Sequence, residues 1–277
     1  MEKLLVVDGS NLLFQMFYGM PARIMNHQGK AIQGTLGFVG ALLKIIRRVR
    51  PTHVAVLFDG ECHNPRKDLD EAYKANRPDW AEEEETPFDQ LPDIYAALDS
   101  LGIVHAETQC CEADDWIAGY ALSWDGELVI SSFDSDFFQL ITDKVHVLRY
   151  RGERSVICDK AWLWEKYRIR PQQYADFKSL TGDSADNIRG VPGVGSKTAA
   201  ALLQQFGDLQ GLLDGAENIA KPSIRAAVLQ NRERLRLNHL LICLKAGETL
   251  PFTEEEMRWQ DSGATTMEVL RAIGLRM

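Results

Sequence analysis

Near the amino terminus lies the run Lys3-Leu4-Leu5-Val6-Val7-Asp8, an apolar stretch of strand length that ends on a carboxylate. The arrangement recurs at 54–58, which precedes Asp59, and at 128–131, which lies shortly before Asp134. Apolar runs of this length, alternating with helical patterns, predict a mostly parallel sheet flanked by helices. Because ligands collect at the carboxyl ends of parallel strands, we expect these three aspartates to share one crevice.

Other acidic clusters follow at 112–115, 134–136 and 181–186. Singly, each has a structural explanation, as a helix cap, an Asx-turn or ordinary turn chemistry. Together their carboxylates would repel one another unless cations neutralised them. Oxygen ligands without His or Cys select Mg²⁺ or Mn²⁺, so we predict a two-metal phosphoryl-transfer site. The nine candidate ligands are Asp8, Asp59, Glu112, Asp114 and Asp115 for a first ion, Asp136, Asp183 and Asp186 for a second, and Asp134 near both.

The 112–115 cluster is the sharpest local pattern. At the start of a helix, Glu112 and Asp115 are three residues apart and share one face, while Asp114 points elsewhere on the turn.

The chain of 277 residues is long enough for a large domain with a smaller appendage. We predict an α/β core over 1–160, with strands at 3–7, 53–58, 128–131 and 145–150 and helices at 10–19, 36–49, 87–101 and 113–123. A helical region over 161–277 follows, with helices at 160–167, 171–180, 196–205 and 222–244. A polar, basic insertion interrupts the core from residue 60 to 88; it contains Trp80, and the glutamate run 82–85 in it suits the N-terminus of the next helix.

The net charge of −9 is unusual for a partner of nucleic acid. Without the nine candidate ligands, however, the 40 acidic residues fall to 31, which equals the 31 Lys and Arg. Five cysteines in an irregular set indicate reduced thiols. No apolar run reaches bilayer length and no signal peptide is evident, so we expect a cytoplasmic protein without membrane contact.

A glycine-rich segment, Gly190-Val191-Pro192-Gly193-Val194-Gly195-Ser196-Lys197-Thr198, lies between two predicted helices. Its glycines permit a tight hairpin and close approach of backbone N–H groups to a phosphate. The helix N-terminus that follows also suits an anion. This pattern predicts a helix–hairpin–helix motif over 181–206 that binds the nucleic-acid backbone without reading sequence. A P-loop is disfavoured, because Ser196-Lys197 stands where Gly-Lys is required and no strand precedes it.

The chain resembles the bacterial 5′→3′ exonuclease and flap endonuclease family, which also forms the N-terminal domain of family-A DNA polymerases. The resemblance covers about residues 1–250. It runs from Val6-Val7-Asp8-Gly9 through Tyr73-Lys74-Ala75-Asn76-Arg77-Pro78 and the 112–115 and 181–183 clusters to Gly190–Thr198.

The resemblance implies a PIN-like 5′ nuclease fold and a metal-dependent enzyme acting on DNA with 5′ ends, flaps or branches. It implies a helical arch at 60–88, with Arg66 and Lys74 contacting the scissile phosphate region. It also implies DNA binding by Arg77, Gly190, Gly193, Gly195, Ser196, Lys197 and Thr198, and K⁺ held by backbone carbonyls of Ser184, Ile188, Val191 and Val194.

Three positions depart from the family pattern. Ser135 replaces a common lysine, Pro65 replaces an aromatic residue before Arg66, and Asp70 stands where tyrosine is common. These changes bear on arch ordering and turnover. One alternative is therefore a non-catalytic or weakly active branched-DNA binder. Two further alternatives are an RNA-directed nuclease and a nucleotide-binding switch protein. We expect a monomer.

Overall fold

The structure, a computed structural model, describes residues 2–20, 22–61, 64–77, 85–109, 111–246 and 249–275. Its centre is a six-stranded sheet in the order β3-β2-β1-β4-β5-β6. Strands β1 to β5 are parallel, and β6 runs antiparallel to β5. The strands are β1 (Lys3–Asp8), β2 (His53–Phe58), β3 (Val104–Glu107), β4 (Glu127–Ser131), β5 (Val145–Arg149) and β6 (Val156–Cys158). The predicted mostly parallel sheet is confirmed.

The inner strands are buried on both faces because helices cover both sides. Every residue of β2 is buried, as is β1 from Leu4 onward. Leu5 and Val7 face one apolar cluster and Leu4 and Val6 face another, as the alternation of side chains along a strand requires. The sheet thus has two hydrophobic cores, one against each layer of helices.

Helices of the first half connect the strands. They are α1 (Gly9–Gly19), α2 (Gln33–Val49), α3 (Pro65–Leu69), α4 (Leu91–Ser100) and α5 (Ala113–Ser123). The second half is mainly helical, as predicted: α6 (Lys160–Tyr167), α7 (Tyr174–Thr181), α8 (Ser196–Phe206), α9 (Leu209–Asp214), α10 (Pro222–Gln230), α11 (Arg232–Ile242), α12 (Glu254–Met257) and α13 (Thr266–Ala272). A two-stranded hairpin, β7 (Gly182–Asp183) and β8 (Ile188–Arg189), follows α7.

The predicted helix at 222–244 is divided in two. Asn231 separates α10 from α11, and its side-chain amide donates to the carbonyl of Ala227 at 2.8 Å. This local bond competes with continued helix, which is why asparagine favours helix ends. Strands β3 and β6 had no prediction; both are short edge strands, β3 with His and Glu at two of its four positions and β6 with only three residues.

The carboxyl-terminal segment packs back on the α/β core. Trp259 donates its indole N–H to the carbonyl of Leu101 at 2.9 Å, and Val269 of α13 joins the cluster under α2 and α4. Within the described ranges, no helix combines the length and apolar character needed to cross a bilayer.

Candidate active site

A cavity of about 420 Å³ opens at the carboxyl edge of the sheet. Four of the predicted ligands line it: Asp8, Asp59, Asp114 and Asp134. They come from the ends of β1 and β2, the start of α5 and the turn after β4. The expectation that Asp8, Asp59 and Asp134 share one crevice is therefore confirmed.

Backbone amides and hydroxyls fix the first two aspartates. Asp8 caps α1 by accepting from the amide of Asn11 at 2.9 Å, and its second oxygen accepts from the hydroxyl of Ser132 at 2.7 Å. Asp59 accepts from the amide of Ala113 at 2.9 Å, so it holds the first turn of α5 against the end of β2. Each ligand position is thus tied to a neighbouring element.

Burial and the crowding of negative charge raise the pKa values of aspartates in the cavity. Burial, followed by the charge of Asp59, raises the pKa of Asp8 to about 7. Burial likewise raises the pKa of Asp114 well above its ordinary value, with Asp134 and Asp59 adding to the rise. A bound cation would reverse these shifts, because it stabilises the ionised carboxylates.

A second acidic group lies beside the first. Asp136 is buried, and its charge interacts with those of Asp134, Asp183 and Asp186. Its Oδ1 is buried without a hydrogen-bond partner, and burial raises the pKa of Asp136 well above its ordinary value. An orphaned acceptor of this kind is costly unless a ligand satisfies it. Lys178 of α7 forms an ion pair with Asp183.

The remaining two carboxylates bind an arginine instead of lining the cavity. Arg66 is 3% exposed and forms a bidentate pair with Asp115, at 2.8 and 3.0 Å, and a third bond to Glu112 at 2.7 Å. Its other two N–H groups donate to the carbonyls of Leu241 and Cys243. All five guanidinium donors are engaged. The prediction that Glu112 and Asp115 share a face is confirmed.

Lys74 and Arg77 bring positive charge to the cavity wall. The Lys74 ammonium contacts Glu112 and lies 4.0 Å from Asp186, and Arg77 lies 3.6 Å from Asp186. Burial alone would raise the pKa of Glu112, but Lys74 and Arg66 outweigh it and hold that pKa below its ordinary value. The side chain of Arg77 is 56% exposed, whereas Lys74 is buried.

In chemical character the nine carboxylates fit a hard divalent cation. They offer oxygen ligands only, include the orphaned Oδ1 of Asp136, and outnumber the cationic side chains paired with them, which are Arg66, Lys74, Arg77 and Lys178. Across the described residues, no three of them place oxygens within 4.8 Å of one another. Backbone amides hold one oxygen each of Asp8, Asp59, Asp134 and Asp183, so rotation of the side chains would be needed to close the oxygens around an ion.

The predicted arch at 60–88 is described only in part. Trp80, Pro78 and residues 82–84 of the glutamate run lie outside the described residues, as do 62 and 63. The described part contains α3 and a series of turns at 71–77. Pro65 occupies the first turn of α3, a position that favours proline, and Asp70 pairs with Arg234 at 2.5 Å.

The glycine-rich segment 190–195 forms a turn between the β7–β8 hairpin and α8. A Cβ at Gly190 would lie 2.3 Å from the carbonyl carbon of Thr181, and Gly193 adopts φ of +79°. The amide of Val191 donates to the carbonyl of Leu180 at 2.8 Å. Beyond the turn, Gly195, Ser196 and Lys197 are exposed at the start of α8, which has no side-chain cap. Thr198 is half-buried.

The four residues predicted to bind K⁺ lie on two consecutive turns, Ser184 and Ile188 in the β7–β8 hairpin and Val191 and Val194 in the glycine-rich turn after it. Val191 and Val194 are buried, and the carbonyl of Val191 accepts from the amide of Val194 at 3.0 Å. The carbonyl of Ser184 accepts from the side chain of Asn76 at 3.0 Å, and Ile188 is buried in β8.

Several residues at the site had no prediction. The cavity is also lined by Ser10, Asn11, Phe14 and Phe88. The rings of Phe14 and Phe88 meet edge to face, with their centroids 5.5 Å apart. Ser10 and Asn11 follow the first strand directly, so their distance from Asp8 in sequence could have indicated them. Phe88 and Lys178 approach through long-range packing, for which no local pattern exists.

Two parts of the chain match known protein families. Residues 3–168 match the family described as 5′-3′ exonuclease, N-terminal resolvase-like domain, and residues 169–264 match 5′-3′ exonuclease, C-terminal SAM fold. Thermostable DNA polymerase I of Thermus aquaticus is 36% identical over 85% of this chain, and DNA polymerase I of Rhizobium leguminosarum is 36% identical over 88%. The chain spans 28% and 24% of the length of these relatives.

Solved structures share the fold. The 5′-exonuclease of phage T5 with bound divalent metal ions (zinc) has a TM-score of 0.71 at 23% identity, covering 87% of this chain and 89% of that one. The catalytic core of Rad2 in complex with DNA substrate has a TM-score of 0.63 at 16% identity, covering 98% and 93%. From the family match, which extends across both halves of the chain, it follows that this protein belongs to the 5′-3′ exonuclease family.

Proposed function

We propose that this protein is a structure-specific 5′ nuclease that hydrolyses phosphodiester bonds in DNA, as a 5′→3′ exonuclease and 5′-flap endonuclease. One observation carries the proposal: Asp8, Asp59, Asp114 and Asp134 converge on a single cavity at the carboxyl edge of the sheet. Membership of the 5′-3′ exonuclease family supports it.

The acidic groups would hold two Mg²⁺ or Mn²⁺ ions. The four cavity aspartates would serve the first, and Asp136, Asp183 and Asp186 the second. When bound, such ions lower the pKa of water and polarise the scissile phosphate. A related structure described with bound divalent metal ions supports this reading.

Cationic side chains would bind the substrate phosphate. Lys74 lies in the cavity wall, and the exposed Arg77 reaches the same space. Both would stabilise negative charge that develops as the phosphodiester breaks. A contact from Arg66, which the family resemblance implies, would require its bonds to Glu112 and Asp115 to open when DNA binds.

The edge-to-face pair Phe14 and Phe88 gives the cavity an apolar wall on which a nucleobase could stack.

The glycine-rich turn and the start of α8 would bind the DNA backbone. Exposed amides and the hydroxyl of Ser196 at an uncapped helix start attract phosphate, and Lys197 adds charge. Gly193 and Gly195 are exposed and leave the backbone of the turn without side chains, Gly190 lets the turn pack against the end of α7, and Thr198 completes the first turn of α8. K⁺ held by carbonyls of Ser184, Ile188, Val191 and Val194 would bridge the turn to a phosphate. The protein would act as a cytoplasmic monomer.

Cleavage of a 5′-labelled flap substrate tests this function. In Mg²⁺ the wild type should release short 5′ products, and EDTA should prevent it. Asp114→Asn should abolish cleavage while largely preserving DNA binding, whereas Asp143→Asn, at an exposed residue remote from the cavity, should cleave normally. Full activity of Asp114→Asn would refute the assignment.

The same assay separates the alternatives. A branched-DNA binder without catalysis would bind the flap but leave it intact in both Mg²⁺ and Mn²⁺. An RNA-directed nuclease would cleave a matched RNA flap faster than the DNA flap.

A further inference from the structure

A second group of potential metal ligands lies at the opposite edge of the sheet. Glu2 precedes β1, His53 is the first residue of β2, and Glu254 is the first residue of α12. One imidazole nitrogen and one oxygen from each carboxylate lie within 4.8 Å of one another. Among the residues that the structure describes, no other three His, Cys, Asp or Glu side chains meet this spacing.

The imidazole of His53 is buried and half-satisfied. It is 2% exposed; Nδ1 lies 2.8 Å from the hydroxyl of Thr52, whereas Nε2 is buried without a hydrogen-bond partner. An orphaned buried nitrogen is costly unless something occupies the space before it. Because Nδ1 is already engaged, Nε2 is the nitrogen available to a ligand.

The hydroxyl of Thr52 holds Nδ1 of His53 in place. It accepts from the amide of Lys3 at 2.9 Å, lies 3.2 Å from the carbonyl of Lys3 and lies 2.8 Å from Nδ1. When the hydroxyl donates to that carbonyl and Nδ1 donates to the hydroxyl, Nε2 carries the lone pair. Protein histidines that bind metals are commonly held in this way, with the second ring N–H donated to a neighbouring oxygen.

The surroundings favour a neutral imidazole beside two negative charges. Burial lowers the pKa of His53 below its ordinary value, against the opposing effect of Glu2 and Glu254. The two glutamates are exposed, so water can complete the coordination of an ion. Arg258 lies 3.8 Å from Glu2, but this exposed pair contributes little and can separate.

We propose that Glu2, His53 and Glu254 bind a divalent transition metal ion of the Zn²⁺ type. One imidazole and two carboxylates form a mixed nitrogen and oxygen set that suits Zn²⁺ better than Mg²⁺. The ion would tie α12 to the residue before β1 and the first residue of β2, and so hold the carboxyl-terminal segment on the sheet. It would act independently of the all-oxygen cavity at the other edge.

Copper spectroscopy distinguishes this site from the acidic cavity. With excess Mg²⁺ present and one equivalent of Cu²⁺ added, electron spin echo modulation should report the remote nitrogen of a coordinated imidazole. The modulation should be lost in His53→Asn and kept in His105→Asn. Its persistence in a folded His53→Asn protein would overturn the proposal.

Calorimetric titration with Zn²⁺ gives a second test, which does not alter the buried histidine. Glu254→Gln should weaken the Zn²⁺ affinity of this site at least about tenfold, as expected for a lost ligand. Glu255→Gln, the neighbouring exposed position on α12, should leave it unchanged, and both variants should keep flap cleavage in Mg²⁺. Equal Zn²⁺ affinity in Glu254→Gln and the wild type would contradict the site.

Discussion

The charge of Arg66 is neutralised by two carboxylates of the protein itself, those of Glu112 and Asp115. Its five donors meet two carboxylates and two backbone carbonyls, so it joins α3 to α5 and to the end of α11. A buried pair of this kind adds little net stability while intact, but loss of one partner leaves charge uncompensated. We therefore expect Arg66 to be structural first.

Arg66→Gln should lower the free energy of unfolding by about 3–5 kcal/mol, because Glu112 and Asp115 would be left buried without the guanidinium. Urea unfolding monitored by circular dichroism measures the loss. Arg77→Gln is the matched control: its side chain is 56% exposed, so stability should change by less than about 0.5 kcal/mol while flap cleavage falls. Equal stability of the two variants would contradict a structural role for Arg66.

Asp8 should make the stability of the metal-free protein depend on pH. Folding raises its pKa from 3.8 to about 7, so the folded state holds the proton more tightly than the unfolded chain does. Stability should then fall as pH rises through this range, by on the order of 4 kcal/mol. The lowered pKa values of Asp70 and Glu112 have the opposite effect, but they change stability mainly below their ordinary values of 3.8 and 4.5, at or under the acid end of this range.

Urea unfolding in EDTA at pH 5 and pH 7 measures this effect. Asp8→Asn removes the titrating group and should lose this part of the pH dependence. The assignment would be wrong if the variant and the wild type showed the same slope.

The sequence predicted which acidic residues belong to the site, but it did not predict which of their side chains face the cavity. Helical spacing separates Asp114 from Glu112 and Asp115, and the structure keeps that separation. Which face meets the cavity depends on Arg66, 46 positions before Glu112 in the sequence. No local pattern encodes such a long-range pairing.

At the scale of elements, the glycine-rich turn before α8 depends on glycine at position 190 more than at position 195. A Cβ at Gly190 would meet backbone atoms of Thr181 and Gly182 at 2.3 and 2.5 Å, which cannot move without opening the turn. A Cβ at Gly195 would meet no atom within 4 Å, and its φ of −92° suits any residue.

Gly190→Ala should destabilise the protein by about 3 kcal/mol, because overpacking against backbone cannot relax. It should also weaken binding of duplex DNA and abolish any difference between KCl and LiCl at equal ionic strength. Gly195→Ala should keep the stability of the wild type, because a Cβ there meets no atom within 4 Å. Fluorescence anisotropy with a labelled duplex measures binding. Equal affinity of the wild type for the duplex in KCl and in LiCl would contradict the K⁺ proposal.

Elements with a strong local pattern were predictable from sequence, and the others were not. Strands β1, β2 and β4 are buried apolar runs, each followed by an aspartate at the same edge. Strand β3 is half exposed and short, so only its pairing with β2 defines it. The end of α10 depends on one asparagine side chain, which sequence periodicity does not resolve.

At the scale of the whole molecule, the charge distribution follows from the position of the site. The net charge of −9 is concentrated in carboxylates that the sheet gathers at one edge, while Lys74 and Arg77 stand at the cavity wall. An acidic protein can therefore bind DNA, because local charge and bound cations decide the interaction. The balance between the remaining acidic and basic residues was predictable from the sequence. The positions of Lys74 and Arg77 at the cavity wall became evident only from the fold.

Anomalous diffraction from a crystal grown with Mn²⁺ tests the convergence of the carboxylates most directly. We predict two manganese peaks, one among Asp8, Asp59, Asp114 and Asp134 and one among Asp136, Asp183 and Asp186, with carboxylate oxygens drawn in around each. A map with no manganese at this edge of the sheet, and with the oxygens still apart, would contradict a metal-dependent nuclease.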